Sequence, residues 1–354
     1  ALAGVSSARA QEWPVPFTTA PVLALRGQKV AVLTSGDPFW FGAGGSLARD
    51  LEPDAWRAFP GVSTFSLVAA RLGWRLETTV CAGLHAVPVA GIRPSLQAGQ
   101  RMVALVADAR AAVDFAAYVA DRGFGPSRLW LAEAMGGPAE RLREFRAGDS
   151  LPDDIAAPVA VAVELAGGLG LPRSSGLNDD LFAHDGQITK RPVRALALSA
   201  LAPRPGERLW DIGGGSGSVS VEWCLAGGLA STIEARADRA ARIAENAAGF
   251  GVAQALTVIE GMAPGALAGL PMPDAVFVGG GGSAALLADL WARIPKGCRL
   301  VAHAVTLETE SLLMDWQAHV GGEMMKVEIA HAAPLGRMRG WIPARPVLQW
   351  SVVR

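Results

Sequence analysis

Leu209 to Ser218 reads LWDIGGGSGS, and the architecture of the second half of the chain follows from it. An apolar run, Leu209–Gly213, stops at a cluster of glycines, and a helical stretch, Gly217–Ala226, follows it. Strand, glycine turn and helix in that order belong to a parallel sheet with crossover helices. Gly213, Gly215 and Gly217 let the backbone turn sharply, and the free N–H groups at the helix start suit a flat or anionic ligand. Glycine serves turn geometry equally well, so the neighbouring residues must decide. Glu234 ends the next strand, Ser231–Glu234, 21 residues after Gly213. A carboxylate at that place reaches the two hydroxyls of a bound ribose. The dinucleotide pattern G-x-G-x-x-G is not met: Ser218 takes its last glycine position, and a start one residue later puts Ser216 in the second. The turn therefore favours an adenosyl cofactor with less phosphate, such as S-adenosylmethionine.

The alternation continues outward from this turn. Leu256–Glu260, Ala275–Gly279 and Arg299–Ala304 read as strands, and Lys190–Ala200, Arg236–Gly249 and Ser283–Arg293 as helices. Glu323–Ala330 and Val347–Val353 read as later strands, so an antiparallel finish is expected. The run Gly279–Gly282 falls at the carboxyl edge of the sheet. It is either a tight turn or a bare loop that lets a large planar substrate approach. No Asn/Asp-Pro-Pro-aromatic tetrapeptide stands there, which with a formal net charge of −1 argues against a nucleic-acid substrate. In the first half, Lys29–Ser35, Arg101–Ala107, Arg128–Ala132 and Val159–Leu165 read as strands. Leu47–Asp50, Ser63–Arg71 and Ala111–Arg122 read as helices, the second capped by Ser63 or Thr64. Gly167–Gly186, rich in Gly, Ser, Asn, Asp and Pro, reads as a linker between domains 1–166 and 187–354.

Composition agrees with this frame. A chain of 354 residues suits about two domains, and 51% hydrophobic residues supply their cores. Cys81, Cys224 and Cys298 are isolated, as expected of small buried residues in a reducing cytoplasm. The most apolar stretch, Ile155–Leu171, contains Glu164, glycines and a proline and is short for a bilayer. No basic-then-apolar leader opens the chain. The five histidines include no pair at i,i+4, so no metal site is expected.

Two longer stretches carry a resemblance. LFAHDGQITKRPVRALAL (Leu181–Leu198), followed by LWDIGGGSGSVSVEW, resembles the C-terminal half of the decarboxylating precorrin-6Y C5,15-methyltransferases of aerobic cobalamin biosynthesis. LTSGDPFWFGAGGSLAR, from Leu33, resembles their N-terminal half, and the similarity runs over essentially the whole chain. The resemblance implies a two-lobed tetrapyrrole (class III) methylase-like domain followed by a Rossmann-like class I methyltransferase domain with a seven-stranded sheet. It implies an S-adenosyl-L-methionine site in each, with S-adenosyl-L-homocysteine as product. It also implies methylation of precorrin-6B at C5 and C15 with decarboxylation of the C12 acetate to give precorrin-8, and homo-oligomerisation through the C-terminal domain. C15 methylation and decarboxylation fall to that second domain. The family's first strand and its G-x-G-x-G turn have no counterpart before Lys29, so the first domain is expected to be N-terminally incomplete.

Residue by residue, the resemblance assigns cofactor contacts in the second half to Asp211, Gly213, Gly215, Gly217 and Glu234, with Gly261 and Met262 flanking the adenine and Gly279 and Gly280 under the sulfonium. Asp185, Gln187, Thr189 and Lys190 form its entrance segment. Gln187 and Thr189 are candidate cofactor contacts, and Thr189 and Lys190 are able to donate to a carboxylate and to the cofactor's carboxyl end, although a plain helix start explains them too. His184 and His303 are the candidate proton-handling residues, or are structural. In the first half, Gly36, Asp37, Pro38 and Gly42 match GDPxxxG, and Ser63 and Thr64 lie on the next cofactor loop, with main chain of Ala104–Asp108 near adenosine. Phe39 and Phe41 either pack beneath the loop or line the tetrapyrrole. Arg191, Arg194, Arg337 and Arg339 either meet the substrate's anionic arms or belong to solvated surface. Two alternatives stay open: a C15-methyltransferase/decarboxylase with an inactive first domain, and a noncatalytic tetrapyrrole carrier.

Overall fold

Val159–Glu164, VAVAVE, explains the first sheet, because a continuous apolar run suits a strand buried on both faces. The computed structural model describes residues 10–354. Contacts divide the chain into two units, one holding the chain up to Val89 with Ser95–Leu169, the other Ala90–Pro94 with Gly170–Arg354. In the first, β1 (Thr79–Gly83), β2 (Arg101–Leu105), β3 (Arg128–Glu133), β4 (Arg141–Arg146) and β5 (Val159–Glu164) pair in the order β1-β2-β5-β3-β4. The β1–β2 pair is parallel and the others are antiparallel. The helices are α1 (Ala20–Leu23), α2 (Gly44–Asp50), α3 (Thr64–Leu72) and α4 (Ala109–Val119). Ser63 caps α3 by accepting the Ser66 N–H at 3.1 Å, and Gly73, at φ 66°, ends it. Phe65 and Val68 of α3 are fully buried with Val103, Trp130 and Ala162 of the sheet. Each such side chain contributes roughly 1.5–3 kcal/mol by burial.

One expectation for this unit is corrected, and two of its strands were not anticipated. Lys29–Ser35 is not a strand: it has no place in the sheet, and Val30 and Leu33 stay 41% and 47% exposed. An extended run needs a ladder partner, and among the described residues it has none. The described residues of this unit therefore hold one sheet, with the stretch before α3 made of loop and short helices. β1 and β4 were not anticipated; in β4 (RLREFR) four of six residues are charged and only Leu142 and Phe145 are apolar. Arg141 and Arg143 of β4 both bind the buried Glu133 of β3. Burial works against that carboxylate's charge, but these bonds and the Ala156 N–H still hold it below its ordinary range. The opening of the expected first domain, residues 1–9, lies outside the described residues.

The second unit contains β6 (Arg208–Ile212), β7 (Leu229–Glu234), β8 (Leu256–Glu260), β9 (Ala275–Val278), β10 (Arg299–Ala304), β11 (Glu323–Val327), β12 (Ala330–Leu335), β13 (Met338–Pro343) and β14 (Val347–Val353). Seven of these pair in the order β11-β14-β10-β9-β6-β7-β8, while β12 and β13 form a separate hairpin. Five neighbours run parallel, and β14 is antiparallel to both β10 and β11. The helices are α5 (Arg191–Leu201), α6 (Ser218–Leu225), α7 (Ala237–Gly249), α8 (Ala284–Arg293) and α9 (Leu307–Val320). Alternation along β6 feeds two cores: Leu209 joins Trp223, Ile243 and Phe277, while Trp210 and Ile212 join Leu290 and Trp350. The chain order reverses at β6, between β7 and β9, and this opens a crevice at the carboxyl ends of the strands.

Here α9 and the β12–β13 hairpin were not anticipated, and the strand expected to reach Ala330 stops at Val327. Much of the stretch read as a linker is packed: Leu171, Leu177 and Phe182 are buried in the second core. The cause is a buried polar clamp. Glu222 accepts the N–H groups of Gly176 and Leu177 at 2.6 and 2.9 Å and the Arg194 Nε at 2.6 Å. Arg194 also donates to Asp179 and to the carbonyls of Leu177 and Thr189.

Candidate functional site

The parallel ladder runs beyond its strands into the loops at the carboxyl edge. Gly213 and Gly214 donate to the Ile233 carbonyl, Gly279 to Ile212, and Gly261 to Glu234. Gly213, at φ 74°, lies so close to the next loop that a Cβ would sit 2.8 Å from the Gly280 oxygen. Two glycine loops thus face the crevice as bare backbone. Glu234 is 5% exposed and points back at the turn: its Oε2 accepts the Gly215 N–H at 2.9 Å and its Oε1 the Arg236 N–H at 3.0 Å. A carboxylate has about four acceptor positions, so two remain for hydroxyl donors.

These loops border a cavity of about 620 Å³, within the range usual for small-ligand sites. Its wall brings together Gln187, Thr189, Lys190, Gly213, Gly215, Glu234, Gly261, Met262, Gly279, Gly280 and His303. The fit to an adenosyl cofactor rests on three features: backbone without side chains, a buried carboxylate at one side, and sufficient volume. His303, on β10, is buried; its Nε2 is 3.0 Å from the Gln349 Oε1, and Phe277 meets its ring edge-on at 5.0 Å. Burial pushes its pKa below the ordinary histidine value, which favours the neutral ring.

Of the residues expected to hold the cofactor or handle protons in this half, three do not line the cavity. Asp211 shares the buried face of β6 with Leu209; there it accepts the Ser220 Oγ proton at 2.6 Å, and Ser220 meets Thr232 at 2.6 Å. Burial raises its carboxyl to about 6. Gly217 begins α6 at φ 72° and packs against α7, where a Cβ would lie 2.7 Å from Ile243. His184 shapes the entrance turn, its Nδ1 accepting the Gly186 N–H at 3.0 Å. Asp185 accepts the Gln187 N–H and pairs with Arg239 at 2.9 Å, the latter chiefly lowering its pKa to about 2.

Among the arginines considered for anionic arms, Arg194 is fully buried in the clamp, and Arg191, Arg337 and Arg339 are exposed away from the cavity wall. Arg239, His331 and Arg345, which do line it, were missed. The antiparallel last strand was the available signal for Arg345, since it brings the residues before Val347 to the carboxyl edge.

In the first unit the loop residues serve one another. Asp37 Oδ1 accepts the Phe39 N–H at 2.8 Å, and Gly44 donates to the Pro38 carbonyl at 2.8 Å. A Cβ on Gly42 would lie 2.6 Å from that same carbonyl, and Gly36 packs against Ser63. Ser63 is spent as the α3 cap and Thr64 is the first residue of α3. Phe41 packs on Phe65, at 5.7 Å. A cavity of about 440 Å³ in this unit is lined by Thr78, Gln97–Arg101 and Glu164, and by none of these loop residues. Among the described residues no group of three or more metal-ligating side chains is present, and no helix is long and apolar enough to cross a membrane.

The strand order, the glycine turn after β6 and the acidic end of β7 define an S-adenosylmethionine-binding methyltransferase fold of the Rossmann-like class. Residues 180–354 match the family described as Precorrin methyltransferase domain, and residues 12–149 match Tetrapyrrole (Corrin/Porphyrin) Methylases. The chain is 46% identical over 357 residues to a Precorrin-6Y C(5,15)-methyltransferase [decarboxylating] from Sinorhizobium sp, covering 99% of this chain and 86% of that one. It is 38% identical to the protein of that name from Mycobacterium tuberculosis (strain CDC 1551 / Oshkosh), covering 97% and 87%. The crystal structure of the C-terminal domain of precorrin-6Y C5,15-methyltransferase from Rhodobacter capsulatus is 58% identical, with a TM-score of 0.51, covering 52% of this chain and 100% of that one. The chain belongs to the decarboxylating precorrin-6Y C5,15-methyltransferase family.

Proposed function

We propose that this protein methylates C5 and C15 of precorrin-6B and decarboxylates its C12 acetate, giving precorrin-8. The domain from residue 187 carries C15 methylation and decarboxylation, and the domain up to residue 166 carries C5 methylation, with one cofactor site in each. The observation that carries the reading is the Glu234–Gly215 bond beside a cavity walled by Gly213–Gly215 and Gly279–Gly281. S-adenosylmethionine held there supplies an electrophilic methyl group. Glu234 would hold the ribose hydroxyls, Gly261 and Met262 the adenine, and Gln187 and Thr189 the amino-acid end. The enclosing loops position the substrate carbon and exclude water, which is the main demand of transfer from an already activated donor. In decarboxylation the C–CO2 bond breaks, its electrons enter the conjugated macrocycle, and a carbon takes up a proton. His303, buried at the wall beside Gln349 with its pKa lowered, would move that proton, and Lys190 would donate to a carboxylate.

Incubation with precorrin-6B and methyl-labelled donor tests this: two methyl groups gained and one carbon dioxide released are expected. Neither methyl gain nor carbon dioxide would reject it. A second reading, catalysis in the second unit alone, is favoured by the way Asp37 and Ser63 spend their hydrogen bonds within their own loops. One methyl gained with carbon dioxide, and one S-adenosylhomocysteine bound per chain in calorimetry, would select it. We also propose self-association through the second unit, which light scattering would check.

A further inference from the structure

The glycine turn and Glu234 take the β6–β7 side of the crevice. Four strand steps away, about 19 Å at the usual spacing, lies β14. Because β14 runs antiparallel to β10, pairing Leu348 with Ala304, its beginning reaches the carboxyl edge. Arg345, two residues before β14, therefore comes to the cavity wall. Its neighbour Ala344 donates to the Ile329 carbonyl at 2.7 Å, which fixes the chain there. Lys190 lies at the wall too, as the residue that begins α5, and α5 packs on β9, β10 and β14. Arg345 thus reaches the cavity from the side away from Glu234, and Lys190 reaches it from the start of α5, three residues after Gln187, whose carbonyl lies against the Gly215 turn.

Their lack of partners is the second observation. Arg239, on the same wall, is bound to Asp185. The side chains of Lys190 and Arg345 have no hydrogen-bond or ion-pair partner among the described residues. Glu234 is held by two backbone N–H groups and does not neutralise them. The wall near Arg345 carries Val305, Val327, Ile329 and Val347, with His331 beside them. Apolar surroundings strengthen a charge-assisted bond to an anion that enters.

We propose that Arg345, together with Lys190, is a specificity-determining cation pair that binds carboxylate arms of the substrate, while the apolar strip beside Arg345 takes the face of the ring. The assignment rests on the function proposed above and adds a recognition site on the β10–β14 side. Steady-state kinetics of the full chain with the tetrapyrrole tests it, alongside calorimetry with S-adenosylhomocysteine. Arg345→Gln is expected to raise KM for the tetrapyrrole about tenfold or more, the usual scale for losing one charge-assisted bond. Arg345→Lys should recover part of that loss, Lys190→Gln should move KM in the same direction, and the S-adenosylhomocysteine affinity of Arg345→Gln should stay within about twofold. A KM within about twofold of the parent's in Arg345→Gln overturns the assignment, as does an equal loss of S-adenosylhomocysteine affinity. If the parent turns over no tetrapyrrole, the underlying function fails and the assignment falls with it. If the parent is active beside an indifferent Arg345→Gln, the assignment alone fails.

Discussion

Glu234 reaches back 19 positions along the chain to accept the Gly215 N–H at 2.9 Å, tying the end of β7 to the turn that follows β6. This bond holds the carboxylate beside the turn. Glu234→Ala should leave the Gly215 amide unpaired and remove the proposed ribose partner. Calorimetry with S-adenosylhomocysteine should show affinity lower by at least about tenfold, on the 1–3 kcal/mol scale of a buried polar group left unsatisfied. Unchanged affinity would exclude Glu234 from cofactor binding.

Two glycines of the same turn should fail differently. A Cβ on Gly213 would strike the Gly280 backbone at the cavity wall, whereas one on Gly217 would strike Ile243 under α7. Both positions have positive φ, so alanine is strained at each by about 1–3 kcal/mol. Gly217→Ala should mainly lower the thermal midpoint of the second unit. Gly213→Ala should in addition lose S-adenosylhomocysteine binding at temperatures where the unit is still folded. Equal binding by the two variants would show that the Gly213–Gly280 approach does not shape the site.

The Arg194–Glu222 pair holds the 176–189 segment against the second unit. Glu222→Gln leaves a fully buried guanidinium without its closest carboxylate. Breaking a buried pair from one side costs about 3–5 kcal/mol. Urea denaturation should show the loss as a lower midpoint. Proteolysis should cut the segment around Arg173–Asp180 earlier than in the parent.

Asp211 makes a pH prediction of definite sign. Its carboxyl titrates near 6 in the folded protein against an ordinary value of 3.8, because burial disfavours its charge. The folded state then binds this proton more tightly, so the contribution to stability is full below about pH 4, falls as pH rises towards 6, and is gone above. The span corresponds to about 3 kcal/mol. Stability of the parent relative to Asp211→Asn should decline by about that amount between pH 3.5 and 7 in urea titrations. Subtracting the variant removes the opposite trend of Asp185, whose lowered carboxyl loses stability as pH falls towards 2. A constant difference would mean that Asp211 stays ionised when buried.

The turn at Gly213–Gly217 and Glu234 were legible in the sequence because a parallel strand, its loop and its helix are consecutive, so their chemistry is written in adjacent residues. Gly217 and Asp211 were legible as members of that motif but not in their packing. Whether a residue faces the ligand or the neighbouring helix depends on the pleat of β6 and the seating of α7, which consecutive residues do not reveal. Lys29–Ser35 failed for a related reason: its β-branched apolar run suits a strand, but a strand exists only with a partner to bond.

The alternating βα pattern of the second half, the adenosyl-type turn and the family resemblance were all readable from residue order. Each depends on local order: hydrophobic period, glycine placement and residue spacing. Tertiary structure alone decided that 170–189 packs as part of the second unit, that Arg194 is buried rather than offered to substrate, and that Arg345 arrives at the cavity. Those outcomes come from pairing between distant segments, Glu222 with Gly176 and β14 with β10. Energies of that kind are set by which surfaces meet.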